Sequence, residues 1–186
     1  MTLRQRILLI IGLTVVALNL VSYPIASTLL LNNARQAEEQ YTRKQINSVL
    51  SVFKQSLEQF NRNFSDWAVW DDAYTFVQDG NPEFMRSTLI EAQLETNEIN
   101  LIAFIQPSGR IVFGTGFDLG TKQKTPIPKS LQRHLIPGDR LLQHPDLTST
   151  VSDVVSLPEG AMMIVARPIL TSEGGGPIRG TLVVGR

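Results

Sequence analysis

The chain contains no cysteine. That excludes a disulfide scaffold, a thiolate nucleophile and every thiolate metal site, but it leaves the compartment open, because reduced cytosolic proteins and many exported ones share the lack. Net charge is missing too. Lys and Arg number 17 against 17 Asp and Glu, so nothing electrostatic recommends nucleic acid or an acidic polymer as a partner. Histidine is scarce: His134 and His144 sit in a Pro-containing loop with Asp146 nearby, in no known ligand spacing, and both are read as surface residues. No Ser, His and acid arrangement offers a nucleophile signature. Gly114-Thr115-Gly116 lacks the third glycine of a dinucleotide fingerprint and is read as a turn. Internal repeats and low-complexity tracts are absent. No cofactor, no metal and no catalysis are expected within these 186 residues.

What is present begins with an apolar run. From 7 to 31 no residue is charged and Leu, Ile, Val and Ala dominate, a stretch longer than the roughly 20 residues that cross a bilayer as a helix. It exceeds the usual h-region of a signal peptide, and no clear A-x-A site follows. Arg4 and Arg6 precede it, so the reading is a cytoplasmic leader at 1–6, a transmembrane helix at 7–31, and an exported remainder. Subtracting that segment leaves roughly 150 residues, enough for one domain with a real core.

Between Pro24 and Gly80 there is neither Gly nor Pro. Ile46, Leu50, Phe53, Leu57, Phe60, Phe64 and Trp67 alternate steps of four and three, a single stripe down one helix face. Two uses of this long membrane-proximal helix, 32–64, stay open: pairing with a copy of itself, or covering the domain's own sheet. Asn81-Pro82-Glu83 reads as a cap, a first-turn proline and an acid at the positive end, opening a helix expected to reach residue 94. Extended segments follow at 100–105, 110–114, 151–157, 161–170 and 178–184, with turn chemistry at Pro107-Ser108-Gly109 and Pro158-Glu159-Gly160. Residues 121–145 are rich in Pro and basic residues, with one short helical candidate at 129–135. The fold class is therefore α+β: an N-terminal transmembrane helix, a long amphipathic helix, then a five-stranded antiparallel sheet with flanking helices over 65–186. The last strand runs to the final residues without a polar tail, which reads as one piece of something longer.

The densest chemistry lies in Ser65-Asp66-Trp67-Ala68-Val69-Trp70-Asp71-Asp72-Ala73-Tyr74, which holds both tryptophans. On one helix at about 100° per residue, Trp67, Trp70, Asp71 and Tyr74 share a sector, and Asp72 points away from it. Asp71 then continues the apolar stripe, where a carboxylate is costly unless hydrogen-bonded or paired. Three readings of Asp71 are open: a lock onto a neighbouring backbone or an Arg, a contact to a ligand amine or hydroxyl among the rings, and catalysis with Asp72. Adjacent helical residues do not face a common point, which argues against the third. Arg167, in a strand with Met163 and Val165 on its side, is a candidate for an acidic ligand group or for Asp71, a structural ion pair being preferred. Charge is segregated: 58–98 holds nine acids and two bases, 110–140 six bases and two acids.

The segment Asp66-Trp67-Ala68-Val69-Trp70-Asp71-Asp72-Ala73-Tyr74 resembles the signature of the fourth class of CHASE domains, extracytoplasmic sensors related to the Cache and PAS-like families. Arg167-Pro168-Ile169-Leu170, a glycine-rich loop and the closing Gly180-Thr181-Leu182-Val183-Val184-Gly185-Arg186 agree with it. The resemblance implies a PAS/Cache-like domain held between two membrane helices, working as a homodimer and feeding a cytoplasmic output such as a histidine kinase or a diguanylate cyclase.

Together these readings describe the extracytoplasmic input region of a membrane receptor. An unknown small ligand is expected between sheet and helices at Trp67, Trp70, Asp71, Tyr74 and Arg167. The alternative is a membrane-anchored protein-interaction module with no small-molecule ligand.

Overall fold

A computed structural model describes residues 3–186, except the side chains at 5–6, 8–11, 17, 19, 21–40 and 42. The chain divides into two compact units, 1–53 and 54–186. One helix, α1 (Leu3–Asn63), contributes to both. In the first unit Ile46, Leu50 and Phe53 of the expected stripe are exposed. The transmembrane reading of 7–31 falls largely on side chains outside the described residues, and no helix among the described residues is long and apolar enough to cross a membrane.

In the second unit the same stripe changes role. Phe60 and Phe64 are buried, so the last turns of α1 cover the domain's own core. Short helices follow: α2 (Ser65–Ala68), α3 (Asp71–Asp79), α4 (Pro82–Ser87) and α5 (Glu91–Thr96). Gly80 closes α3 in the left-handed region at φ +67°, a conformation a Cβ would strain. The Asn81 Oδ1 then accepts from the Glu83 N–H, with Pro82 in the first turn, so α4 starts where local chemistry places it. The helix expected to continue to 94 breaks at Thr88–Ile90, where Leu89 turns into the core.

The sheet has six strands rather than five, all antiparallel, in the order β3-β2-β1-β6-β5-β4. Its strands are β1 (Leu101–Ile105), β2 (Ile111–Asp118), β3 (Gln123–Thr125), β4 (Val151–Leu157), β5 (Gly160–Pro168) and β6 (Thr181–Gly185). The additional strand, β3, is three exposed polar residues on the sheet edge, with no alternation to betray it. Gly114-Thr115-Gly116 is also strand and not turn. A Cβ at Gly114 would lie 2.5 Å from Ile127 Cδ1, and one at Gly116 2.4 Å from Thr125 Oγ1, so these glycines admit the segment that crosses over them.

Strand period divides the core into two layers. Ile102, Phe104, Val165, Leu182 and Val184 face the helices with Phe60, Phe64, Phe76, Phe84 and Leu94. Leu101, Ala103, Ile105, Ile164 and Val183 face the other way, under Ile127, Leu131, Leu135 and Leu141 of the long β3–β4 connection. That connection holds α6 (Lys129–Gln132) and one 3-10 turn, Arg140–Leu142. It also carries His144, which is not a plain surface residue: its ring is half-buried and Nε2 lies 3.0 Å from Oγ1 of the buried Thr181. The segregated charges meet across the fold, Lys122 with Glu95 at 2.6 Å and Lys124 with Glu91 at 3.7 Å, as exposed pairs.

Candidate functional site

The Trp-Asp-Asp-x-Tyr segment is not one helix. Ser65 donates its hydroxyl to the Arg62 carbonyl, and α2 lasts four residues. Val69 then pairs with Leu170 in a parallel bridge while the Leu170 N–H donates to the Ala68 carbonyl at 2.9 Å. Trp70 is extended (φ −148°, ψ 128°), so Asp71 becomes the first residue of α3. The shared sector expected for Trp67, Trp70, Asp71 and Tyr74 is therefore replaced by a bent path. Its cause is a strand contact made a hundred residues downstream, which outweighs local helix propensity. Trp67 lies edge-on to Phe64 with ring centroids 5.8 Å apart, and Trp70 rests against Phe84 at 5.4 Å.

Asp71 and Ser172 bond reciprocally. The Asp71 N–H donates to the Ser172 hydroxyl oxygen, and the Ser172 N–H donates to the Asp71 carboxylate, both at 3.0 Å. The Ser172 amide holds the Asp71 carboxyl below the usual carboxylate range, with the hydroxyl adding to it. One turn on, Tyr74 donates its hydroxyl to the Pro177 carbonyl at 3.2 Å and accepts from Arg179 Nε at 3.1 Å, with the guanidinium 5.6 Å from the ring centroid. The first two turns of α3 are thus stitched to both ends of the glycine-rich β5–β6 connection.

Arg167 points to the helix layer but pairs with neither Asp71 nor, within 4 Å, any other carboxylate among the described residues. Its Nη1 donates to Asn61 Oδ1 at 2.6 Å and to the Asn61 carbonyl at 3.3 Å. The cation so closes the C-terminal end of α1, where unpaired carbonyls and the negative dipole end collect. Half-burial lowers its pKa, opposed by the charge of Asp66. The ion pair expected from sequence is an amide clamp instead.

Two open cavities lie in the helix layer, lined by none of those five residues. One, of about 330 Å³, is bounded by Asp72, Thr75, Asn81, Glu83 and Ser87 over Phe76 and Phe84. The other, of about 450 Å³, lies between the α4–α5 corner and the β2–β3 edge, lined by Met85, Arg86, Leu89, Ile90, Glu91, Phe113 and Lys124. Sequence reasoning singled out neither; the one local signal for the second was Arg86, one of the two bases in the acidic stretch 58–98. Among the described residues no group of three His, Asp or Glu is placed to hold a metal ion.

The CHASE4 domain family matches residues 52–186. The chain belongs to that family. CHASE4 domains are sensor domains and not catalytic ones, which fits residues 52–186 to a sensory input region. Over all 186 residues the chain is 27% identical to the methanogenesis regulatory histidine kinase FilI of Methanothrix harundinacea (strain 6Ac), of which it spans about a fifth, 21%. Among solved structures, a domain of a sensory box/GGDEF family protein from Vibrio parahaemolyticus aligns with TM-score 0.45 and 11% identity, over 75% of this chain and 58% of that one. The extracellular domain of a histidine kinase aligns with TM-score 0.44 and 11% identity, over 75% and 56%.

Proposed function

We propose that this CHASE4 domain is the extracytoplasmic input region of a transmembrane receptor, taking a small ligand between sheet and helices, passing its effect along α1 to the membrane and relaying it across to a cytoplasmic output such as a histidine kinase or a diguanylate cyclase. The observation that carries this reading is the family match over 52–186, on a domain whose core contains the end of α1 through Phe60 and, directly after the helix, Phe64. Exposed apolar side chains on several sides of α1, Leu13, Val15, Val16, Leu18 and Leu20, support a bilayer around its first part, where such side chains cost nothing. Ile46, Leu50 and Phe53, exposed on the same helix, support a homodimer seam.

In this reading Trp67, Trp70, Asp71, Tyr74 and Arg167 frame the ligand-responsive layer. Asp71 and Tyr74 tie α3 to the β5–β6 connection, and Arg167 ties β5 to the end of α1. A ligand shifts the output only if it binds one arrangement of these ties better than the other. The test is a chimera in which residues 1–186 replace the matching region of the FilI kinase, assayed for autophosphorylation in membranes. A regulated kinase whose basal output changes with Arg167→Met is expected. A kinase indifferent to the graft's sequence, including Arg167→Met and Asp71→Ala, would refute the input role and leave the interaction-module reading.

A further inference from the structure

We propose that the cavity between the α4–α5 corner and the β2–β3 edge binds a small organic monoanion, a carboxylate carrying an apolar body; this deepens the input-domain reading and rests on it. The shape comes first. At about 450 Å³ the cavity has the size of small-molecule sites, which run from about 300 to 1,000 Å³. Its lining is mixed: Met85, Leu89, Ile90 and Phe113 supply apolar surface beside the charged Arg86, Glu91 and Lys124, and Met85 and Phe113 are only partly buried although both pack against the helix-side core. Phe113 stands directly opposite the fully buried Phe104 in the β1–β2 register, on the same face of the sheet. A partly uncovered aromatic beside a fully covered one is where an apolar group finds a ready-made seat.

Charge selects the head group. Arg86, in the last turn of α4, has no hydrogen-bond or ion-pair partner among the described residues. Lys124 faces the same cavity and is already shared with Glu91 at 3.7 Å. Two cations and one anion leave a single positive charge. That balance suits a monoanion, whereas a dianion such as a phosphate ester would meet Glu91 unbalanced. The planar guanidinium of Arg86 matches a carboxylate in two-point geometry.

The site also has a route into the domain. Met85 neighbours Phe84, whose ring contacts Trp70, Phe76 and Phe104 at centroid distances of 5.4, 4.6 and 5.9 Å. An occupant that repositions α4 therefore presses on Trp70, next to the Asp71–Ser172 tie.

The experiment titrates the full chain, held in lipid nanodiscs with empty discs as the blank, with sodium hexanoate by calorimetry. Saturable binding is expected, weakened about tenfold by Arg86→Gln, the loss of one exposed charge-assisted contact, and unaffected by Arg133→Gln on the opposite layer. Acetate should bind more than about tenfold less tightly, since each buried methylene is worth about fourfold in affinity. Hexylamine, with the same body and the opposite charge, should not compete. No saturable hexanoate binding, equal binding by the Arg86→Gln chain, or competition by hexylamine would each overturn the assignment. Those failures leave the kinase chimera's dependence on Arg167 untouched, so loss of the ligand class and loss of the input role are read separately.

Discussion

Replacing Arg167 by Met keeps the aliphatic stem on the helix-facing side of β5 and removes the guanidinium that holds Asn61. Hydrogen bonds involving a charged group are worth about 1.5–3 kcal/mol, and here one donor nitrogen serves two acceptors, so the pair of contacts counts nearer one bond than two. Half-burial of the cation opposes it, as its lowered pKa indicates, and Met relieves that cost. The expected net loss is about 1–2 kcal/mol. Asn61→Ala removes only the Oδ1 contact, leaves the 3.3 Å bond to its own carbonyl and gains about 0.5 kcal/mol of helix propensity, so its loss should be smaller. If the clamp carries the energy, the double variant should fall short of the sum of the singles by about 1 kcal/mol. Urea unfolding followed by tryptophan fluorescence reads the right unit, because both tryptophans lie within 54–186. The midpoints should drop with the slope unchanged. Additivity within about 0.3 kcal/mol would show that the 2.6 Å contact contributes nothing to holding α1 on the sheet.

Three further outcomes follow from the geometry. Because the Ser172 amide depresses the Asp71 pKa, its stabilisation is present above the ordinary value of 3.8 and disappears as pH falls through the lower folded value. Thermal melts of Asp71→Asn should therefore lie below wild type at neutral pH and converge with it in acid, whereas a constant gap would refute the charge-based account. Burial pushes the His144 pKa below 6.5, so the unfolded chain takes the proton first and stability declines as pH drops from 6.5 toward the folded value. His144→Gln should flatten that acid-side decline in urea midpoints measured from about pH 7.5 to about pH 5.5. Gly116→Ala places a methyl 2.4 Å from Thr125 Oγ1 and 3.0 Å from the Pro126 carbonyl. It should cost about 1–3 kcal/mol in the same unfolding assay, and an unperturbed midpoint would mean that β3 yields freely.

The parts of the fold that were readable are those whose cause is local. Asn81-Pro82-Glu83 announced α4 because cap, proline and acid act within one turn. Val151–Leu157 appeared as a strand at its true bounds because turn residues follow it directly. Distant partners were invisible. The break at Val69 and Trp70 has no Gly or Pro and depends on Leu170, and the acceptor of Arg167 is 106 positions away. β3 is polar and exposed and owes its existence to the neighbouring edge of β2. The candidate residues were found as a motif, but their roles followed from where the glycine-rich connection comes to rest. The Arg86 cavity borders a Phe113 left partly covered, a result of packing that no spacing encodes.

The position of β6 has a consequence for synthesis. It is the last strand along the chain and lies between β1 and β5. Leu101 is paired with Gly185 and Ile164 with the same residue, contacts of long and moderate sequence separation that slow folding. A nascent chain leaving the ribosome carries β1–β3 and β4–β5 as two separate ribbons, each with an open inner edge of Leu, Ile, Val and Ala, until residue 185 has emerged. The time for which those edges invite wrong pairing is set by how soon Thr181–Gly185 clears the ribosome after β5 has done so.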